Sequence, residues 1–314
     1  MNAHARLVAA GLILTLFGAA CSPEAETKAD RAGPAAAAPA QAVATGAYAF
    51  RIGALEAVAL KDGDLVLANK AGESPWADTA AVSRTLADAG QPRDSIHMSI
   101  QPLLIRDGDR LVLIDTGAGG QMGTEGRLMA SLRAAGVEPG QITDILISHT
   151  HDDHVGGLVD ANGALAFPNA TIRISAAEWA GFRPQGVRAD LVRTITPKVQ
   201  TFKAGAVVAP GITAVVLDGH TPGHMGYEIV SGSDRLLYIG DALHGSVISV
   251  QRPEWVNVWD SNSDAAIATR QGLLEQGASQ PVRVYAVHFP FPGLGRFQRR
   301  DDGFVWVPET AAQP

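Results

Sequence analysis

The chain holds a single cysteine among 314 residues, which excludes an intramolecular disulfide and a metal cage built from cysteine. Basic residues are outnumbered, 25 against 32 acidic ones, and form no cluster. At a net charge of −7 this does not suit a nucleic-acid surface. The longest apolar run, from Leu7 to Phe17, is too short to span a bilayer. The glycine-rich run "TGAGGQMG" (116–123) lacks the Gly-Lys-Ser/Thr of a phosphate loop, so no nucleotide site is read there. No internal repeat is present, and no serine or cysteine nucleophile stands out. The remaining composition, 46% hydrophobic and 18% charged, is that of an ordinary globular chain long enough for a substantial core.

The N-terminus reads "MNAHARLVAAGLILTLFGAACSP": a basic residue, a short apolar run, then small residues, the layout of a secretory signal. Residues 1–20 are therefore expected to be a signal peptide and the protein exported, either periplasmic or lipid-anchored at the cell envelope through Cys21. Gly18 stands where a lipid-attachment signal usually carries leucine, which leaves ordinary cleavage after Ala20 as the alternative. Residues 21–45, Ala- and Pro-rich with almost no bulky apolar side chain, read as a flexible tether. The folded domain is expected over 46–314.

Beyond Gly46, β-like runs alternate with helical stretches. "YAFRIGALEAVALKDGDLVL" reads as strands with "KDGD" as a turn, "SIQPLLIRDGDRLVLIDTG" as a hairpin turning at "RDGD", and "YEIVSGSDRLLYIGD" as a third hairpin. "EGRLMASLRAAGV" is amphipathic, with Leu128, Leu132 and Ala135 on one face and Gly136 as its stop. "DILIS", "ATIRIS", "GITAVVLDG" and "VRVYAVH" are further strands, and "DAAIATRQGLLEQGA" a helix. Hairpins first, then strands separated by helices, in two halves, predict an α/β sandwich with helices outside.

The densest chemistry lies in "SHTHDDHVGG" (148–157), directly after the apolar "ITDILI". His149 and His151 stand two apart past a strand end, with Asp153 and His154 following as the chain turns. Imidazole and carboxylate are the donors that borderline divalent metals take, and a merely solvated loop rarely needs three histidines. Other strand ends carry polar tips too: "LDGHTPGH", "YIGDALH" and "AVHFPFPG". His220, Asp241 and His288 are thus candidates to meet the first cluster at one sheet edge.

The spacing His149-x-His151-x-Asp153-His154, then Gly219-His220-Thr221-Pro222-Gly223-His224, Gly240-Asp241 and His288, with "LIDTG" (113–117) upstream, resembles the metallo-β-lactamase superfamily over about Gly46 to Pro308. The resemblance implies a single four-layer αββα sandwich. It also implies two divalent metal ions, zinc first with manganese, iron or cobalt as alternatives. His149, His151 and His220 would hold one ion, Asp153, His154 and His288 the other, with Asp241 between them. His224 is read as a supporting residue rather than a ligand. Asp115 either accepts hydrogen bonds from a ligand imidazole or the loop backbone, or merely caps its strand. Two such ions, roughly 3.5–4 Å apart, activate a shared water that attacks carbon or phosphorus.

"AVHFPFPGLGRF", "GFVWVP", "PNATIRISAAEW", "GDALH" and "RPEW" are similar to the methyl parathion hydrolase branch, exported phosphotriester and lactone hydrolases. This implies a small apolar or aryl ester, lactone or phosphotriester as substrate, no nucleic acid, and a homodimer in some relatives. Asp153, Asp241 and His244 are the catalytic candidates. His244 departs from the branch, standing where quorum-quenching lactonases carry a tyrosine thought to help the leaving group. It reads as a general acid or as a solvated loop histidine. Trp179, Phe289 and Phe291, with Phe182 and Trp255, are candidate pocket walls, unless they belong to the core. Arg183, Arg188 and Arg193 at helical spacing read as a solvated face rather than a cationic rim. Two rival functions remain: a mononuclear iron dioxygenase of the persulfide type, and a non-catalytic metal-binding envelope protein. The complete second donor set weighs against both.

Overall fold

A computed structural model describes residues 46–309 apart from 123, 125, 183–187 and 281. The expected signal peptide, Cys21 and the whole of the tether lie outside the described residues. All that is described belongs to one compact unit, Ala36–Pro314.

The first sheet is built of β1 (Ala47–Ile52), β2 (Leu55–Leu60), β5 (Leu103–Asp107), β6 (Arg110–Ile114), β7 (Asp144–Leu146), β8 (Thr171–Ser175) and β9 (Val199–Phe202), side by side in that order. The hairpin turning at "RDGD" forms as expected between β5 and β6. From β6 to β9 the pairing is parallel. The second sheet runs in chain order through β10 (Val207–Ala209), β11 (Ile212–Val216), β12 (Met225–Ser231), β13 (Asp234–Tyr238), β14 (Arg283–Tyr285), β15 (Leu294–Arg300) and β16 (Gly303–Pro308). Only β13 and β14 pair in parallel there, on either side of the long helix Ser263–Ser279. One reading fails: "KDGD" does not close a hairpin. The chain leaves the sheet at that point, and β3 (Gly63–Ala68) pairs with β4 (Ser95–Ile100) in a separate two-stranded ribbon.

Burial defines the layers. Tyr48, Ile52, Ile105 and Ile114 from the first sheet meet Ile212, Tyr227, Tyr238 and Tyr285 from the second in one apolar cluster, as alternation along two facing sheets requires. On the outer face of the first sheet, Leu128 and Leu132 of the helix Leu128–Ala134 pack with Val155, Phe182, Val192 and Ile195. The helix Ser263–Ser279 covers the second sheet through Leu273 and Leu274. The result is the expected four-layer αββα sandwich. The β3–β4 ribbon packs Met98 and Ile96 against Val82 and Leu86 of the helix Thr79–Asp88 and against Ile248, roofing one edge of the sandwich.

Candidate metal centre

The ligands converge because their strands end at one edge. β7 is buried throughout, and beyond it Ser148, His149 and His154 stay buried as well. His151 keeps an extended backbone (φ −72°, ψ 155°) as the cap of the short helix Asp152–Val155, whose first turn carries Asp153 and His154. The turn passes tightly under the β6 end: a Cβ on Gly157 would stand 2.1 Å from the carbonyl oxygen of Thr116, so only glycine fits. His220 and His224 follow β11, Asp241 sits in the turn Gly240–Ala242 after β13, and His288 follows β14.

Two donor sets result. His149, His151, His220 and Asp241 form one and Asp153, His154, Asp241 and His288 the other, with the donor atoms of each set within 4.8 Å of one another. In the first, Nε2 of His220 lies 3.2 Å from Nε2 of His149 and 2.9 Å from Nδ1 of His151. Asp241 Oδ2 is 3.4 Å from His220 Nε2. In the second, Asp241 Oδ1 is 3.1 Å from Nε2 of both His154 and His288, and Asp153 Oδ2 is 3.6 and 3.5 Å from them. Each oxygen of Asp241 thus serves a different set. Donors around a tetrahedral ion with bonds of about 2.0–2.1 Å stand roughly 3.3 Å apart, which is the spacing found here.

Partners behind the imidazoles fix which nitrogen is free. His154 donates from Nδ1 to Asp115 Oδ2 at 2.8 Å, His220 from Nδ1 to Asp260 Oδ1 at 3.2 Å, and His288 from Nδ1 to the Ser99 carbonyl at 2.9 Å. Ser148 Oγ donates to Asp115 (2.6 Å) and so accepts from His149 Nδ1 (3.1 Å). In all four rings Nε2 faces the centre, while His151 turns its Nδ1 inward. His154 Nε2 and Asp241 Oδ1 are buried with no hydrogen-bond partner, a costly arrangement that a cation resolves. The donor chemistry therefore fits two divalent ions.

Burial drives His149 well below the usual histidine range and pushes His220 down to about 3. Burial also lowers His151, so all three present lone pairs at neutral pH. Burial works against charge on His154 and His288 as well, but the surrounding carboxylates outweigh it: Asp241, Asp153 and Asp115 hold His154 well above the ordinary value, and Asp241 and Asp153 raise His288. Asp241, though buried, is kept well below the carboxylate range by His288, His154 and His149.

Asp115 takes the supporting role rather than that of a strand cap. Its backbone sits at φ 59°, a strained region for a residue with a Cβ, and its carboxylate takes hydrogen bonds from Ser148 N, Ser148 Oγ, His154 and Tyr238 Oη. His224 is used up in support: Nδ1 donates to the Leu217 carbonyl and Nε2 accepts from Asp241 N at 3.0 Å. His244 is not a solvated loop histidine. It is buried, 3.3 Å from Asp241 Oδ2, with its ring beside Trp259.

The aromatic walls fall elsewhere. Phe289 is fully buried against Trp306 and Phe297 in the helix-covered layer, because a chain that aims His288 inward sends its neighbour outward. Phe291 packs on the inter-sheet core, Trp179 and Phe182 on the outer face of the first sheet, and Trp255 beside the ribbon cluster. The cavity over the metal centre, about 380 Å³, is instead walled by Leu65, Leu67 and Met98 of the ribbon together with Met122 and Trp259, with Arg188 at its side. Arg188 pairs with Asp152 at 2.8 Å rather than standing free. Arg193 is an exposed partner of Asp190, and Arg183 lies outside the described residues.

Several supporting residues carried no signal in the sequence. Asp260 receives His220 and also Arg270 Nη1 at 2.7 Å. Asn257 faces His244, and Gln101 ties the His288 loop through the carbonyls of Ala286 and Phe289. Glu178 holds two loops at once.

An αββα sandwich with a paired His/Asp donor set at one sheet edge defines a metalloprotein of a particular kind, and sequence comparison agrees. The chain belongs to the metallo-β-lactamase superfamily, whose sequence profile matches residues 99–304. Among solved structures it is similar to AidC, a dizinc quorum-quenching lactonase in complex with a product (32% identity, 85% of this chain and 99% of that one, TM-score 0.77). It is also similar to AbOPH, a hydrolase of the β-lactamase superfamily (28% identity, 84% and 98%, TM-score 0.77). An N-acyl homoserine lactonase of Bacillus cereus is 28% identical over 160 residues, 49% of this chain and 56% of the relative. The chain thus spans little more than half the length of the curated relatives it matches.

Proposed function

We propose that the chain is a dinuclear metal-dependent hydrolase that opens small lactones bearing an apolar acyl chain, N-acyl homoserine lactones foremost. One observation carries the reading: Asp241 presents a separate oxygen to each of two complete donor sets at the foot of a largely apolar cavity. The likeness to AidC supports a lactone as substrate and zinc as the ion. His149, His151 and His220 on one side and Asp153, His154 and His288 on the other, with Asp241 between, would hold two ions, which would supply an activated water and polarisation of the ring carbonyl; water adds to the carbonyl carbon, the ring C–O bond breaks and the ring oxygen leaves as a hydroxyl.

The chain's own residues arrange the rest. Leu65, Leu67, Met98 and Met122 offer an apolar wall to the acyl chain. His244 faces the centre as a donor, which follows from its neighbours. Trp259 N donates to Asn257 Oδ1, so the Asn257 amide nitrogen points at His244 Nδ1 (3.3 Å) and makes it the acceptor. The ring proton is thereby fixed on Nε2, which is buried without a hydrogen-bond partner and borders the cavity. From there its N–H can donate a hydrogen bond that stabilises the departing ring oxygen, while the proton that oxygen finally takes up is the one released by the attacking water. Asp153, also on the cavity wall, is positioned to take the proton released by the attacking water. A single-iron dioxygenase would leave Asp153, His154 and His288 without a purpose.

Asp241→Ala, reconstituted with zinc, is expected to lose lactone turnover while keeping its circular-dichroism spectrum; retained turnover would overturn the mechanism. We also propose that residues 1–20 export the chain and that Cys21 takes a lipid. Radiolabelled palmitate incorporated by the wild type and not by Cys21→Ala is the expected result, and an unlabelled wild type would overturn lipidation at Cys21.

A further inference from the structure

Glu178 is a buried carboxylate that touches neither the cavity nor any donor atom of the centre. It lies in the helix Ala176–Gly181, where Ser175 is the cap and accepts from Glu178 N at 3.1 Å. Ser-x-x-Glu is the pattern in which the glutamate usually folds back onto its own helix start. Here it points away and collects four donors from two other loops. Oε1 accepts from Thr150 N at 2.8 Å and Thr150 Oγ1 at 2.7 Å. Oε2 accepts from Thr221 Oγ1 at 2.7 Å and Gly223 N at 3.1 Å. Thr150 lies between His149 and His151, and Thr221 directly follows His220.

Those two loops belong to different sheets, one following β7 and the other β11. The three histidines of the first donor set therefore meet across a join between the sheets. The join is tight: a Cβ on Gly223 would stand 2.1 Å from Glu178 N and 2.6 Å from Ser175 Oγ. Ser175 Oγ also donates to the Gly223 carbonyl at 2.7 Å. In the second set Asp153 and His154 share one helix turn, backed by Asp115, and His288 is anchored to Ser99; among the described residues no single carboxylate beyond the donors themselves ties the His154 and His288 loops together.

Resting on the two-ion reading above, we infer that Glu178 is the positioning residue that sets the first donor set, acting through Thr150 and Thr221 to hold His149 and His151 against His220. All four of its donors are neutral, so the full carboxylate charge remains and favours a cation nearby. In Glu178→Gln one oxygen becomes a buried amide nitrogen, which cannot accept from the backbone N–H it then faces, that of Thr150 or of Gly223.

The test is zinc affinity, read by competition with a chromophoric chelator on the whole folded chain, without turnover. Glu178→Gln should weaken one of the two zinc ions about 10- to 100-fold, the usual effect of losing support behind a ligand, and leave the other near its wild-type affinity. His151→Ala and His288→Ala each remove a donor from one set only and so identify the two release steps; Glu178→Gln should mirror His151→Ala. Asp144→Asn, a buried carboxylate held by Arg110 and Arg173, is the control for a purely structural loss, lowering Tm without altering zinc release. Thr221→Val keeps the carboxylate and removes one donor; it should weaken the same ion to a lesser degree, and decides the matter if Glu178→Gln does not fold. Both ions bound as in wild type, or both weakened alike, would overturn the inference. Wild-type stoichiometry separately judges the two-ion reading, whereas the ratio of variant to wild-type affinity judges Glu178.

Discussion

Replacing Asp260 by alanine strips two partners at once. Its side chain is fully buried; Oδ1 receives His220 Nδ1 and Oδ2 receives Arg270 Nη1 at 2.7 Å. Among the described residues Arg270, itself buried, then keeps the carbonyls of Pro253 and Trp255 as its acceptors. Breaking a buried ion pair from one side costs about 3–5 kcal/mol, and the surviving carbonyl bonds place this case near the lower end. At roughly 2–4 °C per kcal/mol for a domain of this size, about 3 kcal/mol lowers Tm by about 6–12 °C. Loss of the carboxylate behind His220 should also weaken zinc about 10- to 100-fold. The assay is thermal unfolding of chelator-stripped protein, so that bound zinc does not mask the change, followed by zinc competition. Because the cost comes from stranding a charge, Arg270→Met added to Asp260→Ala should recover part of the lost stability. A loss below about 1 kcal/mol, or a double variant no better than the single, would refute this reasoning.

Four further outcomes are expected. His244→Phe keeps ring bulk but no donor: zinc content should be unchanged and kcat should fall about 10²–10³-fold on lactones, far less on aryl esters whose leaving groups need no proton, and equal losses on both would contradict the donor role. Met98→Trp should narrow the cavity and penalise long-chain more than short-chain acyl lactones in kcat/KM; a chain-independent loss would place the acyl chain elsewhere. Stripped of metal, the protein should lose stability as pH falls below about 6.5, where unfolded histidines take up protons that His149, His151 and His220 refuse when buried. His154 and His288 have raised values, so they work in reverse: their contribution is complete below about 6.5 and lost as pH rises through their folded values. Zinc entering the Asp153–His154–His288 set must displace protons at neutral pH, so its binding should strengthen from pH 6 to 8 with buffer-dependent calorimetric heats. Heats independent of the buffer would contradict that protonation.

The ligands were legible because they cluster at strand ends: a β-strand that stops at a sheet edge projects its next residues together, and the His-x-His-x-Asp-His spacing needs no distant information. The layers were legible too, since hairpins and amphipathic helices are local patterns. Supporting residues were not. Asp260, Glu178 and Asn257 look like ordinary polar residues on loops and a helix, and acquire meaning only from partners 40, 28 and 13 positions away. Even the Ser-x-x-Glu pattern around Glu178 suggested a helix cap rather than a join between loops. The aromatic walls failed for a related reason. Adjacency to a ligand is not adjacency to the cavity: Phe289, next to His288, faces the opposite layer. The wall comes instead from the β3–β4 ribbon, whose two strands are separated by the helix Thr79–Asp88, so that their pairing leaves no local pattern around "KDGD".

The first measurement is kcat/KM of zinc-loaded protein, residues 22–314, on N-hexanoyl homoserine lactone and on an aryl phosphotriester, with base uptake recorded to confirm ring opening. A lactone preference of a hundredfold or more, with one acid released per ring opened, is the expected result. A phosphotriester preference of that size would contradict lactone hydrolysis as the principal activity and leave ring opening incidental.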